Sequence, residues 1–438
     1  MKKGVVVILV LLAAVVLVSP AIVGRLAEQS MDRNLNWAAD ESGDVKVTSE
    51  HFTRGWFSSE GEHRIELREG DLLTALQAIA GPMAASDLPV LIISTRLDHG
   101  LIPVSSIGRE EGSLAPGLGS AVSTMTVELS DGATIEVPGT IYSKVALGGA
   151  LHSSYVLAAG SRTDDDVDAS WEDVNIDVTT NPSNGQISYD GAIGKVSLAT
   201  AGQTMSLDAL TFEGQQQPTD FDLSVGDIAI ELDGLAMNGS AGPIGGLSKM
   251  TIRGTSSLDG DDLDGAATVN MVMQNLPRFG EMTIDAAMTI DGADARTLAR
   301  IRKGLKKNAG SPDPMALYTS LQDDLKRLFA AGFDLSFEQL NITFPQGTIS
   351  SGAQFSFDER DPATFEWPSL LMSTEASANL SVPAAFLETE AQGNAQIGML
   401  IGLGYLQKRD NAYVMEAELK KGLVTVNGAP TALPLGPQ

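Results

Sequence analysis

The chain has 438 residues, with 29 Lys and Arg against 56 Asp and Glu for a formal charge of −27, and it contains no cysteine. So acidic a surface repels a phosphate backbone, which argues against nucleic acid as a partner; the missing cysteine excludes disulfide scaffolds, thiol nucleophiles, zinc ribbons and iron–sulfur clusters. Apolar residues at 43% and charged residues at 19% describe a folded chain of about two or three domains.

Met1, Lys2 and Lys3 precede an uncharged, largely apolar stretch over residues 5–23. At about 1.5 Å per helical residue that stretch reaches across the roughly 30 Å of a hydrocarbon core. A transmembrane helix within residues 1–25 is therefore expected. The lysines before it and the single Arg25 after it place the N-terminus in the cytoplasm and the bulk of the chain across the membrane, in the periplasm of a bacterium with a single-pass inner-membrane protein. Ser19-Pro20-Ala21 has the small residues of a signal-cleavage site, but the apolar run continues through Ile22 and Val23, so a retained anchor is preferred to a cleaved signal. An exported address suits a chain without unpaired thiols. Residues 1–25 carry three basic and no acidic groups, which leaves a net charge of −30 outside.

Residues 71–80, opened by Asp71 and closed by Gly81-Pro82, read as a short helix. Beyond it, alternation of period two dominates. Met125, Val127 and Leu129 alternate with Thr126 and Glu128; Val174, Ile176 and Val178 alternate with Asn175, Asp177 and Thr179. Met282, Ile284, Ala286, Met288 and Ile290 alternate with Thr283, Asp285, Ala287 and Thr289. Such segments are half-buried strands. Asp131-Gly132, Asn184-Gly185, Asp190-Gly191, Asp233-Gly234, Asn238-Gly239 and Asp291-Gly292 are signals for the tight turns that join antiparallel neighbours.

Residues 110–277 hold 24 acidic and 5 basic side chains. Asp164-Asp165-Asp166-Val167-Asp168 and the run from Asp259 through Asp261, Asp262 and Asp264 suggest calcium loops at first sight. Neither has the EF-hand spacing, since Leu263 stands where a further ligand is needed and no glutamate closes the loop. Acidic turns on a β-body are the preferred reading, with calcium as the alternative.

A helical hairpin is expected over residues 294–331. Leu298, Ile301 and Leu305 recur at helical spacing, Pro312 and Pro314 punctuate, and Leu317, Leu321, Leu325 and Leu328 form a second stripe. The insert concentrates positive charge, including Arg296, Arg302, Lys326 and Arg327. A solvated helix face is the first reading of it; Arg300, Lys303, Lys306 and Lys307 are the candidates for a patch that meets anionic lipid headgroups. The expected organisation is an anchor over 1–25, a periplasmic β-rich region over 26–293, the helical hairpin over 294–331, and a C-terminal β-rich region over 332–438 continuing the same sheet. The fold class is mainly β (α+β), a long antiparallel, meandering, twisted β-sheet with a helical insertion.

Catalytic patterns are missing. The four histidines, His51, His63, His99 and His152, form no H-E-x-x-H or other short zinc spacing. There is no G-x-S-x-G elbow or S-x-x-K pair, and no phosphate-cradling glycine pattern among the 45 glycines. The sequence points to no catalytic residue, no metal ligand and no cofactor.

The segment from Phe52 through Arg54, Gly55, Trp56, Phe57, Ser58 and Ser59 to Glu60 resembles the R-G-W-F-S-S signature of the bacterial YdgA-like family, domain of unknown function 945. Leu97-Asp98-His99-Gly100 is similar to that family's histidine-glycine segment, with Leu101 where a proline is usual. Residues 333–347 resemble its late amphipathic strand and turn, and residues 422–430, through Asn427-Gly428, its closing strand. The resemblance covers essentially the whole chain and implies an inner-membrane protein with a periplasmic β-rich domain and no assigned chemistry. More remotely, one anchor with a long β-meander is similar to AsmA-like and TamB-like envelope proteins, whose sheets form apolar grooves for lipid. Arg54-Gly55 reads as a turn or bulge, Trp56 and Phe57 as core or groove-lining aromatics, and Asn427-Gly428 as a strand-ending turn. The expected function is therefore non-enzymatic: a membrane-anchored protein of envelope maintenance that contacts lipid through an apolar concave sheet. The alternatives are a structural or interaction module, as a homo-oligomer or with an envelope protein as partner, and a periplasmic hydrolase with a dispersed carboxylate site.

Overall fold

The computed structural model describes residues 45–54, 58–67 and 88–99 and, apart from positions 131, 147, 165–166, 182, 201, 277–278, 308–313, 364 and 392–394, residues 119–431. The anchor expected over residues 5–23, the helix expected over 71–80, and Gly55, Trp56, Phe57 and Gly100 lie outside the described residues. Among the described residues no helix is long and apolar enough to cross a membrane. The chain is mainly β and every strand pairing is antiparallel. It divides into two compact units at Pro218/Thr219, with residues 238–241 grouped in the first. That division falls inside the segment read from the sequence as one β-rich region.

The first unit contains β1 (Val45–Arg54), β2 (Ser58–Leu67), β3 (Val90–His99), β4 (Gly119–Glu128), β5 (Thr134–Val145), β6 (Leu151–Leu157), β7 (Gly160–Asp164), β8 (Val167–Trp171), β9 (Val174–Asn181), β10 (Gln186–Ile193), β11 (Val196–Thr200), β12 (Gln203–Leu207) and β13 (Leu210–Pro218). Nine of these pair in the order β1-β2-β3-β4-β5-β6-β9-β10-β13. The remaining four form a ribbon, β7-β8-β11-β12, with Trp171 and Met205 packed on buried Ala169 and Leu198.

Alternation decides which face is dry. Ile93, Met125, Ile141, Tyr155, Ile176 and Val178 are buried on one side of the sheet, while Ser94, Arg96 and Thr124 stand exposed on the other. Polar groups on the dry side are paired where they meet: Thr95 and Ser123 are 2.7 Å apart across β3 and β4, and the Ser153 hydroxyl donates to Ser143 at 3.0 Å, as buried hydroxyls require. His63 is only 2% exposed on this side, and burial holds its imidazole below the usual pKa.

Two expected turns are strand interiors instead. Asp190-Gly191 lies within β10 and Asp291-Gly292 within a later strand. At Gly191 the reason is a ring: Phe212, its partner on β13, covers the space a Cβ would take, so a glycine there admits an aromatic neighbour.

The second unit runs from β14 (Ser224–Leu232) through β15 (Leu235–Gly239), whose last two residues are grouped with the first unit, β16 (Gly242–Asp259), β17 (Asp262–Leu276) and β18 (Gly280–Asp294) to helices α1 (Ala295–Lys307) and α2 (Pro314–Ala331). It continues with β19 (Phe333–Phe344), β20 (Gly347–Phe357), α3 (Trp367–Ser373), β21 (Thr374–Pro383), α4 (Ala384–Ala391) and α5 (Ala395–Gly402). β22 (Gln407–Arg409), β23 (Ala412–Lys420), β24 (Leu423–Val426) and β25 (Ala429–Thr431) complete it. The sheet order is β14-β16-β17-β18-β19-β20-β21-β23-β24-β25, with β22 also on β23. The α1–α2 pair is an excursion between two paired neighbours, β18 and β19. Asp294 opens α1, its carboxylate accepting the Thr297 N–H at 2.7 Å. Leu321 and Leu328 are buried, and Arg300 reaches Asp324 across the two helices at 2.7 Å.

Candidate functional site

In the second unit the alternating pattern gathers apolar side chains on one face of the sheet. Leu232, Met250, Met271, Ile284 and Ile342 make one cross-strand row, and Ile230, Ile252, Val269, Ala286 and Leu340 make the next. A third passes from Ile228 through Gly254, Ala267, Met288, Phe337, Ala353 and Ala378 to Ala417. A bulge in β19 keeps this face continuous. Ala287 faces Gln339 and Met288 faces Phe337, leaving Glu338 as the extra residue, so odd-numbered Phe337 and even-numbered Leu340 share a side.

Helices cover this face at its two ends. At the end where β19 begins, Phe329 of α2 sits 5.8 Å from Phe333 and 5.0 Å from Phe357, centroid to centroid, and 6.0 Å from Trp367 of α3. Where β19 ends, Phe386 of α4 stacks on Phe344 at 5.1 Å; Val382, Leu387, Leu406 and Tyr413 form a core there against which Ile397, Leu400 and Ile401 of α5 pack. Between these ends the face is open: Met288, Phe337 and Leu340 are 38%, 40% and 41% exposed. On the reverse side Arg253 pairs with Glu231 at 2.6 Å and Asn270 bonds Asp285. One side is thus apolar and partly uncovered, and the other is wet.

The segments that carry the family resemblance meet in the first unit. Arg54 is opposite Ser59 in the β1–β2 pair, Ser58 is opposite Asp98 in the β2–β3 pair, and His99 is opposite Gly119 of β4. Two motifs about 40 residues apart in the chain therefore converge on one end of three neighbouring strands, with Ser59 and Asp98 buried. Asn427 and Gly428 form the turn between β24 and β25. Asn427 has φ +50°, takes the Glu416 N–H on its side-chain oxygen at 3.0 Å, and donates to the carbonyls of Gly404 and Tyr405 at 2.9 and 3.1 Å.

The sequence profile of the family described as "Bacterial protein of unknown function (DUF945)" matches residues 1–434. The chain belongs to the DUF945 family. No curated protein and no solved structure matches it.

In this DUF945 chain the four cations singled out on the helical insert differ in their surroundings. Arg300 is held by Asp324 and by the Thr297 hydroxyl at 2.6 Å, whereas Lys303 is exposed. The side chains of Lys306 and Lys307 lie outside the described residues. In the loop at 259–265, Asp261 faces Arg296 at 3.4 Å and Asp264 takes the Gly292 N–H at 2.9 Å, while Asp262 and Asp264 both act on the Asp291 carboxyl. Among the described residues no three His, Asp or Glu side chains gather as metal ligands do. Sequence patterns also missed a polar cluster of four side chains on β6 and β9. Asp177 accepts the Ser154 hydroxyl and lies 3.4 Å from Nε2 of His152, whose Nδ1 meets the Thr179 hydroxyl at 3.1 Å. No bond joins His152 to Ser154 among the described residues, so the imidazole is not placed to take the proton of a serine nucleophile. The register of two strands over 20 residues apart creates this cluster, which no local spacing announces.

Proposed function

We propose that this chain is a membrane-anchored, periplasmic protein of envelope maintenance that contacts lipid through the apolar face of the sheet formed by β14 and β16–β23. What supports the reading is one observation: that face is covered by helices at both ends and uncovered at Met288, Phe337 and Leu340. Apolar area left in water costs about 25 cal/mol per Å², and a contiguous uncovered patch of this kind marks a site for an apolar ligand or partner. Acyl chains fit it, because the rows between the helix pairs contain no charged side chain. Arg300 and Lys303 are on α1, which follows β18 directly, and an ammonium at Lys303 suits a phosphate headgroup.

The test is photocrosslinking of the full chain reconstituted in phospholipid bilayers, with a benzoyl-phenylalanine at Phe337 or, on the wet side, at Thr268. Lipid adducts at 337 and none at 268 are expected. Adducts to a second copy or another protein at 337, without lipid, would favour the interaction-module reading and overturn this one.

A further inference from the structure

The wet side of the first unit's sheet has a cleft of about 780 Å³ over β1–β6, within the range of small-ligand sites. Its lining follows the register. Thr53, Glu60, Arg96, Val122, Tyr142 and Ser154 form one cross-strand row, and Asp98, Ser120, Lys144 and His152 form the row beside it. Arg96 is committed to protein partners, Glu60 at 3.3 Å and Asp98 at 3.9 Å, and the Asp98 side chain is only 5% exposed. By contrast Glu62, Ser94, Ser120, Thr124, Lys144 and the Tyr142 hydroxyl have no hydrogen-bond or ion-pair partner among the described residues. From Glu62 on β2 to Lys144 on β5 is three strand spacings across the sheet and four residues along it, about 19 Å.

The chemistry of this lining narrows the ligand. The backbone groups of β2–β5 are used in the ladder, so a peptide cannot be recognised here by strand addition and only side chains are available. Glu60, Glu62 and Asp98 repel a nucleic-acid backbone. With Arg96 already paired, Lys144 is the single free cation among the described lining residues, too little for a polyanion. Among the described lining residues Val122 is the one aliphatic side chain on the side of Arg96, since Ala121 is buried on the dry side. Free hydroxyls, a free carboxylate, one ammonium and one aromatic ring among the described lining residues suit a molecule with many hydroxyls on its rim and C–H groups on its faces. We propose that this cleft is a binding site for an oligosaccharide, its hydroxyls held by Glu62, Ser94, Ser120, Thr124 and Lys144, with one sugar ring against Tyr142. The site is independent of the lipid-contacting face, which belongs to the other unit.

Isothermal titration of the full chain, in a detergent without a sugar headgroup, tests this with chitotetraose and maltotetraose at up to about 10 mM, enough to fill even a millimolar site. Saturable heat with at least one tetrasaccharide is expected. Tyr142→Ala should weaken it about tenfold or more, a change of about 1.4 kcal/mol, at an unchanged unfolding midpoint. Thr124→Val, which removes one exposed hydroxyl, should weaken it in the same direction and serves if Tyr142→Ala does not fold. Silence with both sugars would overturn the proposal. So would affinity unchanged in the folded variants, or displacement of the sugar by about 10 mM inorganic phosphate, which would mark an anion site on Lys144.

Discussion

Gly139 and Tyr155 show how tightly single positions are held in the first unit. Gly139 has φ +108°, and a Cβ there would stand 2.7 Å from the Tyr155 hydroxyl oxygen; that hydroxyl donates to the Pro138 carbonyl at 2.9 Å. Burial pushes the Tyr155 phenol up to about 12, so it remains a donor throughout the neutral range. The second unit offers the opposite case, a charge held where it is unwelcome. The Asp264 carboxyl, by hydrogen bond and by charge, raises the pKa of Asp291 above the usual aspartate value, with burial, Asp334 and Asp262 adding to the effect. A carboxyl whose folded value lies above its unfolded value carries its repulsion in full once pH has risen through the folded value, and loses it below the unfolded one. Asp264→Asn keeps an oxygen for the Gly292 N–H and removes the charge. The variant should therefore unfold at a slightly higher temperature than the parent at pH 7, with the advantage vanishing below about pH 4, where model aspartates protonate. Scanning calorimetry across that pH range checks the sign. An advantage that grows toward acid would contradict it.

At the scale of elements, the turn between β24 and β25 ties the end of the sheet to the loop after α5. Three side-chain hydrogen bonds and a left-handed backbone at Asn427 do this. Asn427→Ala should cost about 4 kcal/mol, from roughly one per lost bond with a further contribution of about one from the φ an alanine resists. Asn427→Gly, which accepts the backbone but not the bonds, should fall between the two. Urea unfolding midpoints order the three proteins, and an alanine variant within error of the parent would leave the turn without this role. Elements of this kind were legible in the sequence where one residue type does one local thing. Val174, Ile176 and Val178 announce β9, and all three are buried; the leucines at 317, 321, 325 and 328 fall within α2. Legibility ends where a distant partner decides. Gly191 is inside a strand because of Phe212, and Ser58 faces Asp98 through a register that no spacing reveals. The alternation from Met282 to Ile290 is the same whether its apolar face is sealed or open; only the position of the covering helices decides.

At the scale of the whole molecule, a formal charge of −27 coexists with a sheet face whose central rows are uncharged, and the two are kept apart by the two-residue period of the strands. The bulge at Glu338 preserves that separation in β19 by returning Leu340 to the side of Phe337. Charges introduced at these two positions therefore test whether the face is open to solvent. If it is, Phe337→Glu with Leu340→Glu replaces residues already about 40% exposed, and the loss of stability should stay below about 4 kcal/mol, near the transfer cost of the remaining buried area. Binding of a fluorescent dye that reports exposed apolar surface should then fall by about half or more. If the face were sealed, two carboxylates would be forced into an apolar interior at several kcal/mol each, and the doubly substituted chain would unfold with no prior dye binding to lose. Dye titration and urea unfolding on the same pair of proteins separate the two outcomes, because an open face changes the dye signal far more than the stability and a sealed face does the reverse.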